Sequence, residues 1–103
     1  MLYYKLVRDK IPEIIERSGK KASTYILSDK EYEIYLERKL DEEVKEYHDS
    51  KDVEELADIL EVVFALAKIK GCDYSDLLKL QTQKATDRGG FSKKILLISV
   101  TEN

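Results

Sequence analysis

The chain has 103 residues, 43% of them hydrophobic and 38% charged. These proportions describe a single globular domain over residues 1–103 with a charge-rich surface, too short to enclose a deep cavity of its own. Lysine and arginine number 18 against 21 carboxylates, a net charge of −3, so the basic surplus that suits a nucleic-acid polymer or an anionic membrane is missing.

The first predicted element is a short helix. Asp9 is placed to cap it, Pro12 is tolerated in its first turn, and Ile11, Ile14 and Ile15 follow at helical spacing before Gly19. Residues Ala22–Leu27 are mostly β-formers and read as a strand. Ser28-Asp29-Lys30-Glu31 is a capping box that opens a long helix running to about Ser50, with Leu36, Leu40, Val44 and Tyr47 on one stripe. Ser50-Lys51-Asp52 is a tight polar turn. A second long helix spans about Val53–Lys70 and stops at Gly71, and Asp73 or Ser75 caps a fourth that ends by Arg88 at Gly89-Gly90. Lys94–Val100 is β-rich and is expected to pair with the first strand. The expected fold is therefore all-α: an antiparallel helical bundle of two long central helices, shorter flanking helices and a small two-stranded β element.

The helix after the turn is apolar around most of its circumference, from Val53 and Leu56 through Ile59, Leu60, Val62, Val63 and Phe64 to Ile69. A helix of this kind must be covered on nearly all sides, which predicts a homodimer or homotetramer. The lone Cys72 excludes an internal disulfide or a cysteine-based zinc site, and neither a membrane span nor a leader peptide is expected. The expected location is cytoplasmic.

The chemistry-bearing residues are two acidic pairs, Glu43/Glu46 and Glu55/Asp58. At about 100° per residue, Glu55 lies within the apolar stripe of its helix and Asp58 at the border, while Glu43 borders the stripe of the preceding helix with Glu46 beyond it. Glu42, Glu54 and Glu61 point away. The first pair centres between residues 44 and 45 and the second between 56 and 57, equally far from the turn. An antiparallel hairpin thus brings all four carboxylates to one height across helices whose axes lie about 8–10 Å apart. So many negative charges need compensation. Ordinary pairing with Lys39, Lys45 or Lys51 would supply some, but the matched heights favour a hard divalent cation, with Mg²⁺ the first choice and Mn²⁺ a substitute.

The pattern Glu43-x-x-Glu46…Glu55-x-x-Asp58 resembles the signature of the all-α nucleotide pyrophosphohydrolases, the MazG-like superfamily, which includes phosphoribosyl-ATP pyrophosphohydrolase and dimeric dUTP pyrophosphatases. Residues 4–12 (YKLVRDKIP), the block 55–62 (ELADILEV) and Arg88-Gly89-Gly90-Phe91 resemble its small stand-alone house-cleaning branch. The resemblance implies hydrolysis of a nucleoside triphosphate to the monophosphate and pyrophosphate. It also implies that Glu43, Glu46, Glu55 and Asp58 hold Mg²⁺, with Glu46 or Glu43 as candidate catalytic carboxylates. A triphosphate needs cations as well. Lys5, Arg8 and Lys10 form one basic group near the N-terminus, and Lys84 and Arg88 form another at i and i+4. His48 and Cys72 read as packing or surface residues, and Tyr3, Tyr4, Tyr32 and Tyr35 are available to stack on a base. Two alternatives stand beside this reading: phosphoribosyl-ATP hydrolysis, and a non-catalytic helical module that binds nucleotides or a partner.

Overall fold

The computed structural model describes residues 3–102 and comprises four helices: α1 (Ile11–Arg17), α2 (Asp29–Ser50), α3 (Val53–Ile69) and α4 (Tyr74–Arg88). Their ends follow local chemistry. The Ser28 hydroxyl accepts from the Glu31 amide while the Glu31 carboxylate accepts from the Ser28 amide, closing the capping box that starts α2. The Asp73 carboxylate accepts from the Asp76 amide at the head of α4. Asp9 does not cap α1. The residue before that helix is Lys10, no side chain caps it, and a turn closed by the Ile11 amide on the Arg8 carbonyl (3.0 Å) leads the chain in.

The turn between the long helices is two residues long. Lys51 ends α2 in the left-handed region (φ 61°), where its amide donates to the Tyr47 carbonyl at 2.7 Å. The Asp52 amide then donates to the Ser50 hydroxyl at 3.1 Å. So short a connection leaves α3 no course but back along α2. Leu36 and Val62 are the buried apolar side chains of this hairpin, and Glu43, seven residues after Leu36 and on the same face, is buried with them. At the far end Gly71 (φ 80°) reverses the chain, and Phe64 packs on Tyr74 with ring centroids 4.5 Å apart, holding α4 to α3.

The expected two-stranded β element is not formed. Among the described residues there is no strand, and the protein is all-α. Both β-rich runs are irregular and unpaired. Tyr25 and Ile26 are exposed, as are Ile95, Leu96, Leu97, Ile98 and Val100. β propensity reflects packing on a pleated surface, and neither segment has a surface to pack on. Lys94, at φ 59°, also breaks the extended course where the second strand was expected to begin.

No helix among the described residues is long and apolar enough to cross a membrane. The molecule is elongated, 66 × 32 × 22 Å. Its radius of gyration is 18.4 Å, against about 13 Å for a compact chain of this length. Only α2 with α3, and α3 with α4, pack helix on helix, and Leu56 and Leu60 of α3 remain about half exposed.

The two polar caps differ in what they hold. Ser28→Ala is expected to cost about 1 kcal/mol of unfolding free energy. Asp52→Ala, whose side chain makes no cap hydrogen bond, is expected to cost clearly less. Denaturant titration of both variants checks the difference.

Candidate metal centre

The α2–α3 hairpin gathers carboxylates into two overlapping groups that share Glu43. In one, Glu43, Glu55 and Asp58 each place an oxygen within 4.8 Å of the others; in the other, Glu42, Glu43 and Glu46 do the same. Three of the four expected ligands therefore meet across the hairpin. Glu46 stands apart from Glu55 and Asp58, joins through Glu43, and is exposed. Glu42, expected to point away, is half-buried and belongs to the cluster. The signal for it was its spacing from Lys39, one helical turn earlier.

Three cations lie against these groups. Lys39 donates to Glu42 Oε2 at 3.1 Å and approaches Glu43 Oε1 at 3.3 Å. Lys5 donates to Glu42 Oε1 at 3.1 Å, and Arg8 donates to Asp58 Oδ1 at 2.7 Å. Five carboxylates thus face three cations, and the uncompensated difference of two negative charges equals one divalent cation. Of the lysines weighed as ordinary partners for these carboxylates, Lys39 pairs with them, whereas Lys45 pairs with Asp49 at 3.0 Å.

Glu43 is the most deeply buried of these carboxylates. It is 6% exposed, and its Oε2 is buried with no hydrogen-bond partner. A buried carboxylate oxygen without a donor is costly, and a bound cation is one way to satisfy it. Burial pushes the Glu43 carboxyl above its ordinary value, Lys39 works against that, and the charges of Glu46 and Asp58 add to it. Glu55 is pushed up as well, first by desolvation and then by Asp58 and Glu43. Burial also works to raise Glu42, but the hydrogen bonds from Lys5 and Lys39 outweigh it and hold Glu42 below its ordinary value. The donor set is all oxygen, drawn from two helices, and suits a hard cation such as Mg²⁺ or Mn²⁺.

Of the basic residues expected to serve a phosphate, Lys5 and Arg8 reach this centre. Lys10 is exposed at the head of α1, and Lys84 and Arg88 lie on the exposed surface of α4 without an ion pair among the described residues. A broad surface depression along α4, lined by Tyr74, Leu78, Thr82 and Thr86, does not touch the carboxylates. Nor does Cys72, which is half-buried beyond the end of α3.

Comparison with known proteins adds little. No family model matches the chain. A stretch of 41 residues is 56% identical to an uncharacterized protein of Mycolicibacterium smegmatis, covering 40% of this chain and 42% of that protein. No solved structure matches.

The buried Glu43 has a signed consequence. Its folded-state value lies above the unfolded one, so the native form binds more protons, and ionising it penalises the fold above the raised value. In chelator at pH 7, Glu43→Gln should therefore stabilise the protein by up to about 1 kcal/mol. That gain should shrink as pH falls through the raised value, where wild-type Glu43 is neutral too. Denaturant titrations across pH 4–8 follow both arms.

Proposed function

We propose that the protein is a divalent-cation-dependent nucleoside triphosphate pyrophosphohydrolase of the MazG-like kind, converting a nucleoside triphosphate to the monophosphate and pyrophosphate. The observation that supports it most is the convergence of Glu43, Glu55 and Asp58, with one Glu43 oxygen buried and without a partner. The ExxE…ExxD spacing and the N-terminal block that resembles the house-cleaning branch point the same way.

Glu43, Glu55 and Asp58 would hold Mg²⁺. When bound, the ion would neutralise phosphate charge and polarise the reacting anhydride. The chain's own groups account for the remainder. Glu46 is exposed beside Glu43 and outside the three-carboxylate group, so it is the carboxylate free to take a proton from water. The water oxygen bonds to phosphorus, the α–β anhydride bond breaks, and pyrophosphate leaves with the bonding pair. Lys5 and Arg8, exposed at the rim of the carboxylates, are the cations from the N-terminal arm that could meet a triphosphate there.

A second copy of this chain is the proposed partner. The accessible surface is 9601 Å², whereas a compact monomer of this mass exposes about 6,000 Å². The excess is several times the roughly 800 Å² that each partner contributes to a standard interface, and it includes Leu56 and Leu60 on α3. A helix apolar nearly all round and left half open is accounted for by a bundle completed between subunits.

Two measurements test this reading. Pyrophosphate release from a panel of canonical and damaged nucleoside triphosphates should require Mg²⁺ and fall roughly 100-fold or more in Asp58→Asn. Absence of turnover on every substrate would leave the reading without support. Sedimentation should give a multiple of the 12.0 kDa chain, and Leu60→Glu should shift the population toward that single-chain mass.

A further inference from the structure

The N-terminal arm, residues 3–10, is tied to the carboxylate centre by two side chains. Lys5 bonds Glu42 and Arg8 bonds Asp58, while Leu6 is half-buried between them in sequence. The arm forms neither helix nor strand, and Tyr4 within it stands at φ 48°, a conformation side-chain-bearing residues avoid. Its hold is therefore electrostatic and shallow: the Arg8 and Asp58 side chains are 55% and 40% exposed.

Asp58 belongs to the same carboxylate group as Glu43, which carries a buried, partnerless oxygen, so the carboxylate Arg8 occupies is one that a cation at that centre would use. We propose that Arg8 is an exchangeable counter-ion: it neutralises Asp58 in the metal-free protein, gives up that carboxylate to a divalent cation, and transfers its guanidinium to the phosphates that arrive with it. This rests on the metal-centre reading above. A guanidinium pairs with phosphate as well as with carboxylate, through two parallel N–H donors. Lys5 anchors the other end of the arm on Glu42, outside the Glu43–Glu55–Asp58 group, so the arm stays attached while Arg8 changes partner.

The test needs no turnover. Mn²⁺ alone is titrated into metal-free wild type, Asp58→Asn, Arg8→Gln, Arg8→Lys and Arg17→Gln. The last removes the same charge from α1, where Arg17 pairs with Glu13. Inorganic pyrophosphate is then titrated into each protein in saturating Mg²⁺. The exchange predicts that Arg8→Gln binds Mn²⁺ about threefold more tightly and pyrophosphate about tenfold more weakly. Arg8→Lys should keep wild-type Mn²⁺ affinity and lose part of the pyrophosphate affinity, and Arg17→Gln should change neither. Unchanged or weaker Mn²⁺ binding by Arg8→Gln, with wild-type binding abolished in Asp58→Asn, would overturn the exchange and leave the metal centre standing. Tighter Mn²⁺ binding with undiminished pyrophosphate affinity would overturn it too, leaving Arg8 a counter-ion only. No Mn²⁺ binding by any of the proteins would overturn both the exchange and the centre.

Discussion

One buried carboxylate sets the electrostatics of the α2–α3 hairpin. Glu43 sits on the face of α2 that turns toward α3, two helical turns from Leu36, and one of its oxygens has no partner. An apolar residue would fill that place at no electrostatic cost. The carboxylate instead forces its surroundings to respond: Lys39 is drawn in from the previous turn, and Glu55 and Asp58 add negative charge from α3 rather than relieving it. A hairpin that concentrates like charge where it is least solvated gives up stability in the metal-free state. That sacrifice is intelligible if the charge is there to meet a cation, and the basic side chains around it are consistent with partial compensation only.

Much of the fold was legible in the sequence because helix signals are local. The Ser28–Glu31 box, the Asp73 cap and Gly71 specify helix ends from a few neighbouring residues, and all three act as expected. The α2–α3 hairpin followed from two apolar stripes and a turn too short to permit anything else. The strands failed for the opposite reason. A strand exists only by pairing and packing, so Ile95–Val100 could not reveal from its own composition that no neighbour would receive it. Asp9 failed as a cap because the backbone turns at Arg8–Ile11 and starts the helix one residue too late for it.

The candidate site was legible to the extent that helical angles fix it. Glu43, Glu55 and Asp58 converge as their positions required, whereas Glu46, farther round the helix, stays in water. Angles on isolated helices could not anticipate what the N-terminal arm would cover. Lys5 and Lys39 together draw Glu42 into the cluster although it faces away from the apolar stripe. Charged groups are placed by long-range contacts as much as by helix phase, and those contacts join residues 37 and 50 positions apart. The same limit applies to Lys84 and Arg88, whose spacing makes a credible clamp but whose helix carries them along its own exposed face.

The connection at Lys51 bears on how such a sequence can diverge. Surface turns are usually where chains gain or lose residues at least cost. Here the turn also sets the phase of α3 against α2, since Glu55 and Asp58 are reached by counting from Asp52. One residue added inside the first turn of α3, before Glu55, would rotate the helix beyond it by about 100° and lift it by about 1.5 Å. That would carry Asp58 away from its group and turn a different side of a helix apolar around most of its circumference toward α2. The hydrophobic contacts could re-form after such a change; the carboxylate group could not. Relatives that share the carboxylate group should therefore vary in the unpaired segments and α4, while keeping fixed the count of residues from this short turn to Glu55 and Asp58.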